Sequence, residues 1–253
     1  MPQEHLDRWY ALRAEPGVVL IDGFHALKHA LRFGADVLAV LAADKAAALA
    51  LAHKLAPDLA GALDILVVEV SPQVLAQLVP RPHPTGVAAL ALRPEAELIA
   101  AALCSEPRQA PIVLLENPRH LGNIGAVIRL AAGFGVTGVV TTGDVDPWNP
   151  AVVRGSAGLH FATAVGRADL AELPPGPVHV LDPDGEDIRD VDLPDRALLA
   201  FGSERHGVSP ELRAAASRLV AIPMRPQVSS FNLATSVAMT LFHWMSTRPR
   251  PRA

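Results

Sequence analysis

The chain of 253 residues is long enough for one large domain or two modest ones, each with a buried core. Half of its residues are hydrophobic, 19% are charged and 4% are aromatic, a balance that excludes a disordered chain. A formal charge of −4 is not the footprint of a protein that binds nucleic acid indiscriminately.

The longest apolar runs fall well short of the ~20 residues needed to cross a bilayer, so no membrane partner is expected. The N-terminal stretch MPQEHLDRWYALRAEPG has early acidic residues and no apolar signal core, which leads us to expect a cytoplasmic protein. Cys104 is the only cysteine, which rules out an intrachain disulfide and a cysteine-cluster metal site. In the helical run AELIAAALC it reads as a small buried hydrophobe rather than a nucleophile.

In chain order, the first ~90 residues alternate strand-like and helix-like runs. Strands are expected at Val18 to Ile21, Val37 to Leu41, Ile65 to Val70 and Val87 to Leu92. Helices are expected at Phe24 to Phe33, Asp44 to Leu55 and Pro72 to Leu78. This describes a small α/β unit over residues 1–93. Pro94, Pro107 and Pro111 then punctuate a connector over 94–110.

A second alternation over 111–253 opens with a strand at Ile112 to Glu116 and a helix at Ile124 to Phe134. Strands follow at Gly138 to Thr141, Val178 to Leu181, Ala197 to Phe201 and Leu219 to Ile222, then a last helix from about Phe231 to Met245. The pattern reads as a doubly wound parallel sheet. The one low-complexity piece is the tail RPRPRA.

From Pro111 onward, 13 arginines stand against 14 acidic residues, but seven of those acids lie between Asp182 and Asp195. A local basic surface therefore requires that acidic stretch to point elsewhere.

Three segments hold polar residues where an α/β sheet places its ligands, at the carboxyl ends of strands. The first, ENPRHLGNIGAVIRLAAGFGV, sets Asn123 and Arg129 at a strand-to-helix turn and on the helix that follows. An arginine facing inward from AVIRLAA needs a carboxylate or phosphate partner; the alternative is a snorkelling surface arginine. The glycines do not form GxGxxG, so no dinucleotide fingerprint is present, and no P-loop occurs.

In the second segment, LLAFGSERHGVSPEL, an apolar strand ends at Gly202 and delivers Glu204 before Ser209 and Pro210 start a helix. Glycine allows close backbone approach. A turn with a surface glutamate is the plain alternative. The third, AIPMRPQVSSFNLATSVAMTLFHW, ends a strand at Ile222, runs through Met224, and presents Ser229, Ser230 and Asn232 at a helix start. Capping explains any one of those three and not all of them.

Together these segments resemble the motifs of the SpoU (TrmH-type) family of RNA ribose methyltransferases, within the SPOUT superfamily. The family's asparagine and helix arginine fall on Asn123 and Arg129, and its Gly-x-Glu-x-x-Gly on Gly202, Glu204 and Gly207. Its Ile-Pro-Met and Ser-Leu-Asn elements fall on Ile222, Pro223, Met224, Ser230, Phe231 and Asn232. The intervening NPAVVRGSAG is similar to the family's connecting segment, through Asn149, Arg154, Ser156 and Gly158. More weakly, VVLIDGFHALKHAL and PTGVAALA resemble an RNA-binding domain with a ribosomal-protein-like fold that many members carry. Phe231 replaces the usual leucine, and Asp22 the usual glutamate.

The resemblance implies an α/β fold in which a C-terminal SPOUT domain over 111–253, with a parallel sheet and a deep trefoil knot, follows a small α/β RNA-binding domain. It implies S-adenosylmethionine as cofactor, ribosomal or transfer RNA as partner, a homodimer, no metal, and methylation of a ribose 2′-hydroxyl. It implies catalytic roles for Arg129, Glu204, Asn232, Asn123 and Ser230, with Glu204 orienting Arg129. Cofactor contacts are implied for Gly202, Ile222, Phe231 and Met224. A silent RNA-binding member of the same fold, and an α/β nucleotide enzyme unrelated to RNA, are the competing readings.

Overall fold

The computed structural model describes residues 3–79 and 81–248. All of the RPRPRA tail except Arg248 lies outside the described residues. The chain forms two compact units, the first made of Met1–Glu95 with Trp148–Ala162 and the second of Ala96–Pro147 with Thr163–Ala253.

The first unit contains α1 (Gln3–Ala14), β1 (Val18–Asp22), α2 (Phe24–Arg32), β2 (Val37–Ala42), α3 (Lys45–Leu55), α4 (Ala60–Leu66), β3 (Val67–Glu69), α5 (Pro72–Leu78) and β4 (Val87–Leu92). Its sheet order is β1-β4-β2-β3, with β4 antiparallel to both neighbours and β3 parallel to β2. The period of two along β4 sends Ala89 and Ala91 to one face and Ala88 and Leu90 to the other. On one face Ile21, Phe24, Leu27 and Val40 complete a core, and on the other Trp9, Leu20, Leu75 and Leu78 do so.

Two expectations for this unit need correction. No helix was expected at the N-terminus, yet α1 buries Trp9, flanked by Leu6 and Leu12 at helical spacing. The strand expected at Ile65 to Val70 is shorter, because α4 runs through Leu66 with Leu63 facing the core and Ile65 left 85% exposed. Only Val67–Glu69 pairs with β2.

The second unit holds α6 (Ala96–Leu103), β5 (Ile112–Leu115), α7 (Leu121–Phe134) and β6 (Gly138–Thr141). The chain then contributes α8 (Pro150–Gly155) to the first unit. It returns with β7 (Ala164–Arg167), β8 (Val178–Asp187), β9 (Leu198–Phe201), α9 (Pro210–Ala214), β10 (Arg218–Ala221) and α10 (Leu233–Ser246). All six strands are parallel in the order β10-β8-β9-β5-β6-β7.

The parallel sheet expected from the alternation is present. Its central strands, IVLL and LLAF, are buried at every position, as strands covered on both faces must be. Strand β8 runs six residues beyond the expected end at Leu181, because the acidic segment stays in the sheet through a register shift against β10. Cys104, expected to be buried, is exposed; it follows the last turn of α6, where Leu103 takes the inward position.

In α8, Asn149 caps the first turn through Ala151 N at 2.9 Å. Arg154 reaches Asp22 Oδ2 at 2.9 Å, and Asp22 also accepts from His83 N at 2.9 Å. Gly158 has φ +73°, and a Cβ there would lie 2.4 Å from the Ala26 carbonyl oxygen, so only glycine lets this segment approach α2.

Candidate active site

The sheet order reverses between β5 and β9: the chain moves from β5 out to β6 and β7, and from β9 out to β10. Ligands in open α/β sheets bind in the crevice at the carboxyl ends of such strands. A cleft of about 860 Å³ lies there, lined by the middle of β8, the loops after β9 and β10, and the starts of α7 and α10.

At the end of β9 the chain must turn sharply. Ser203 and Gly207 exchange backbone hydrogen bonds of 2.9 and 3.0 Å, and Gly207 takes φ +65°. A Cβ on Gly202 would fall 2.1 Å from the Gly207 carbonyl carbon, so the loop folds back only because residue 202 is glycine.

That loop delivers Glu204 to the start of α7. Its Oε1 accepts from Asn123 Nδ2 at 2.9 Å and from His120 N at 3.4 Å, and its Oε2 from Arg119 N at 3.2 Å. The two backbone amides lead into α7, His120 being its N-cap. Burial alone pushes the Glu204 carboxyl up, but the hydrogen bonds from Asn123 and the backbone outweigh it and hold the group below the usual glutamate range.

Asn123 also accepts, through Oδ1, from Asn232 Nδ2 at 3.2 Å. Asn232 is the N-cap of α10, its Oδ1 accepting from Ala234 N at 2.9 Å and Thr235 N at 3.4 Å. One chain of hydrogen bonds, Asn232 to Asn123 to Glu204, thus ties the starts of α10 and α7 to the loop after β9.

Asn123, Glu204, Asn232 and Ser230 line this cleft, with Gly202, Ile222, Met224 and Phe231. Phe231, at the position read as a departure, is 40% exposed in it. Arg129 is elsewhere. The apolar stripe of α7 is Ile124, Val127, Ile128 and Ala131, and Arg129 falls off it, so the side chain expected to face inward is exposed. Glu204 makes no bond to it.

Sequence reasoning passed over Glu116, at the end of β5. It is 8% exposed and accepts from Ser209 N at 2.8 Å and from the Ser209 hydroxyl, anchoring the helix that leaves the glycine loop. The signal was a single acid closing an all-apolar strand. The acidic segment does not point wholly away: Asp182 and Asp184 line the cleft, both paired with Arg213, whose guanidinium the Asp182 bond holds more firmly protonated. Among the described residues no group of three or more His, Cys, Asp or Glu is arranged to hold a metal ion.

A family model described as the SpoU rRNA Methylase family matches residues 110–242, more than half of the chain and the whole of the cleft lining. The chain belongs to the SpoU rRNA Methylase family. Membership makes it a methyltransferase, and the motif residues of the SpoU resemblance all fall within the matched span.

A protein of Synechocystis sp. named as an uncharacterized tRNA/rRNA methyltransferase is 29% identical, over 94% of this chain and 89% of that one. The 23S rRNA (adenosine(1067)-2′-O)-methyltransferase of Streptomyces laurentii is 32% identical over 54% of each chain, so the shared region spans about half of that relative. Among solved structures, the AdoMet-bound rRNA methyltransferase of Sinorhizobium meliloti superposes with a TM-score of 0.77. It covers 97% of this chain and 95% of that one at 22% identity, which is a likeness of fold.

Proposed function

We propose that this SpoU methyltransferase transfers a methyl group from S-adenosylmethionine to a ribose 2′-hydroxyl in structured ribosomal or transfer RNA. The observation that carries the reading is the Asn232–Asn123–Glu204 network at the mouth of a cleft at the sheet's switch point. The family and the named activity of the Streptomyces laurentii relative support it.

The cleft suits the cofactor. Its volume of about 860 Å³ is in the range of small-molecule sites, and it mixes apolar walls with backbone polar groups. The close turn at Gly202, with Ile222, Met224 and Phe231, would hold the donor; the Sinorhizobium meliloti protein of like fold is AdoMet-bound. S-adenosylmethionine, when bound, supplies an electrophilic methyl on a positively charged sulfur.

A ribose hydroxyl is a poor nucleophile until its proton is removed or shared. Arg129 is assigned to the nucleophile. A guanidinium is a poor proton acceptor, so it orients the hydroxyl and stabilises charge on the oxygen instead of acting as a free base. Asn123, Ser230 and Asn232 position the ribose, and Glu204 holds Asn123 in place.

Arg129 lies outside the cleft of its own chain, so in this reading it serves the cleft of a second copy in a homodimer. Phe242 and Met245, 60% and 46% exposed on α10, supply apolar contact for that pairing. A deep trefoil knot within 111–253 belongs to the same reading. Its support is that β10 lies at the sheet edge while the following α10 packs on α7, which joins β5 to β6. RNA binding is assigned to the first unit, which holds residues 1–93; of the connector expected over 94–110, Ala96–Leu103 form α6 of the second unit. The protein is assigned to the cytoplasm, in keeping with the absence, among the described residues, of a helix long and apolar enough to cross a membrane.

The test joins calorimetry of S-adenosylmethionine binding to tritium transfer into RNA from a strain lacking the gene, followed by mapping of 2′-O-methyl sites. Saturable donor binding and methylation of the unmarked RNA are expected. Arg129→Ala should keep donor binding and lose transfer by about 10²-fold or more. Undiminished transfer removes Arg129 from the mechanism, and no donor binding by the native protein removes the reading as a whole.

A further inference from the structure

Among the described arginines of the second unit, Arg108 is buried against backbone carbonyls and Arg129, Arg167 and Arg196 are exposed away from the cleft lining; the other seven fall into two sets. Arg189, Arg213, Arg218 and Arg248 each pair with an acid: Asp187, Asp182, Glu186 and Asp195 respectively. Arg119, Arg205 and Arg225 are exposed and have no ion-pair partner among the described residues. These three stand on the three loops that meet at the cleft mouth.

Their loops are held in place. Arg119 donates its backbone N–H to Glu204 at 3.2 Å. Arg205 sits in the turn closed by Ser203 and Gly207, and Arg225 in a turn closed by Val228 N to its carbonyl at 3.1 Å. The acids nearby have other partners, Asp182 and Asp184 on Arg213 and Glu204 on three N–H donors; with Arg213 the three rim arginines make four positive charges against these three negative ones.

Three unpaired guanidiniums on fixed loops make a rim of positive charge on a chain whose net charge is −4. The guanidinium fork matches a phosphate diester, and an exposed, unpaired arginine has the least to lose by taking one. We propose that Arg119, Arg205 and Arg225 form a phosphate-binding rim that grips the sugar–phosphate backbone of the RNA around the nucleotide entering the cleft. The inference rests on the RNA reading above and adds which residues hold the strand.

The test is filter binding of a 23S ribosomal RNA transcript between about 50 and 200 mM salt, comparing native protein with Arg119→Gln/Arg205→Gln/Arg225→Gln. Each phosphate contact contributes about 0.7 to 0.9 to the slope of log K against log salt, so the slope should flatten by about 2 to 3. Arg189→Gln, which removes the same charge from a paired arginine, should leave the slope at the native value. Thermal melting checks that each variant is folded; should the triple variant not fold, each single variant is expected to flatten the slope by about 0.7 to 0.9.

An unchanged slope, or equal flattening in Arg189→Gln, overturns the rim. The two readings fail separately. Native protein that methylates RNA while the triple variant keeps the native slope removes the rim alone. Native protein that shows arginine-dependent RNA binding without binding S-adenosylmethionine removes the methyltransferase mechanism and leaves the rim.

Discussion

Desolvation and hydrogen bonding oppose each other at Glu204, and hydrogen bonding wins. A carboxyl whose folded pKa lies below its unfolded value stabilises the fold above the unfolded value, near ~4.3, and loses that contribution as pH falls through the folded value. Glu204→Gln should therefore melt below the native protein at neutral pH, with the gap narrowing as pH drops below about 4. Melting temperatures from neutral to acid pH test this, and a gap constant with pH contradicts it. Glu204 was legible in the sequence because a glycine strand end singled it out. Its partners were not, since Asn123 lies 81 residues away and the amides of Arg119 and His120 carry no side-chain signal. The inward orientation expected of Arg129 failed for a related reason: an apolar neighbourhood in sequence says little about which side of a helix one residue occupies.

At the scale of elements, α10 begins where Asn232 both caps the helix and ties it to Asn123. Asn232→Ala should cost about 1 kcal/mol in urea denaturation through the cap alone. Asn232→Asp keeps a capping oxygen but loses the donor to Asn123, so it should recover most of the stability and little of the methyl transfer. Equal stability of the two variants refutes the capping role. Strands of the second unit were readable because parallel strands buried on both faces are unbroken apolar runs. The acidic continuation of β8 carried no such run, and α4 ran into β3 without a turn residue to mark the change. For α1 the signal was present in Leu6, Trp9 and Leu12.

For the molecule as a whole, the decisive feature is that the connection from β6 to β7 detours through the first unit. Hydrophobic periodicity has nothing to say about such a detour. The ion pair of Arg154 with Asp22 is one polar contact of that arrangement, beside His29 Nδ1 with Ala157 O at 2.8 Å, and Asp22 is only 7% exposed. Arg154→Ala leaves the carboxylate with His83 N and little water. It should destabilise the first unit by about 1 to 3 kcal/mol, less than for a fully buried pair because Arg154 is itself 41% exposed. Amide hydrogen exchange over β1 and α2 measures this, and unchanged protection there counts against it.

The same detour sets a schedule for biosynthesis. Most of the first unit has been translated by Glu95, but its last piece ends at Ala162, 67 residues later. At elongation rates of roughly 5 to 20 residues per second, that interval lasts about 3 to 13 s. During it the nascent chain carries an unpaired Asp22 and an open face on α2 beside Ala26, waiting for Arg154 and Gly158. For this protein, then, the N-terminal unit is first to leave the ribosome but cannot finish folding until the first stretch of the second unit, Ala96–Pro147, has also been made.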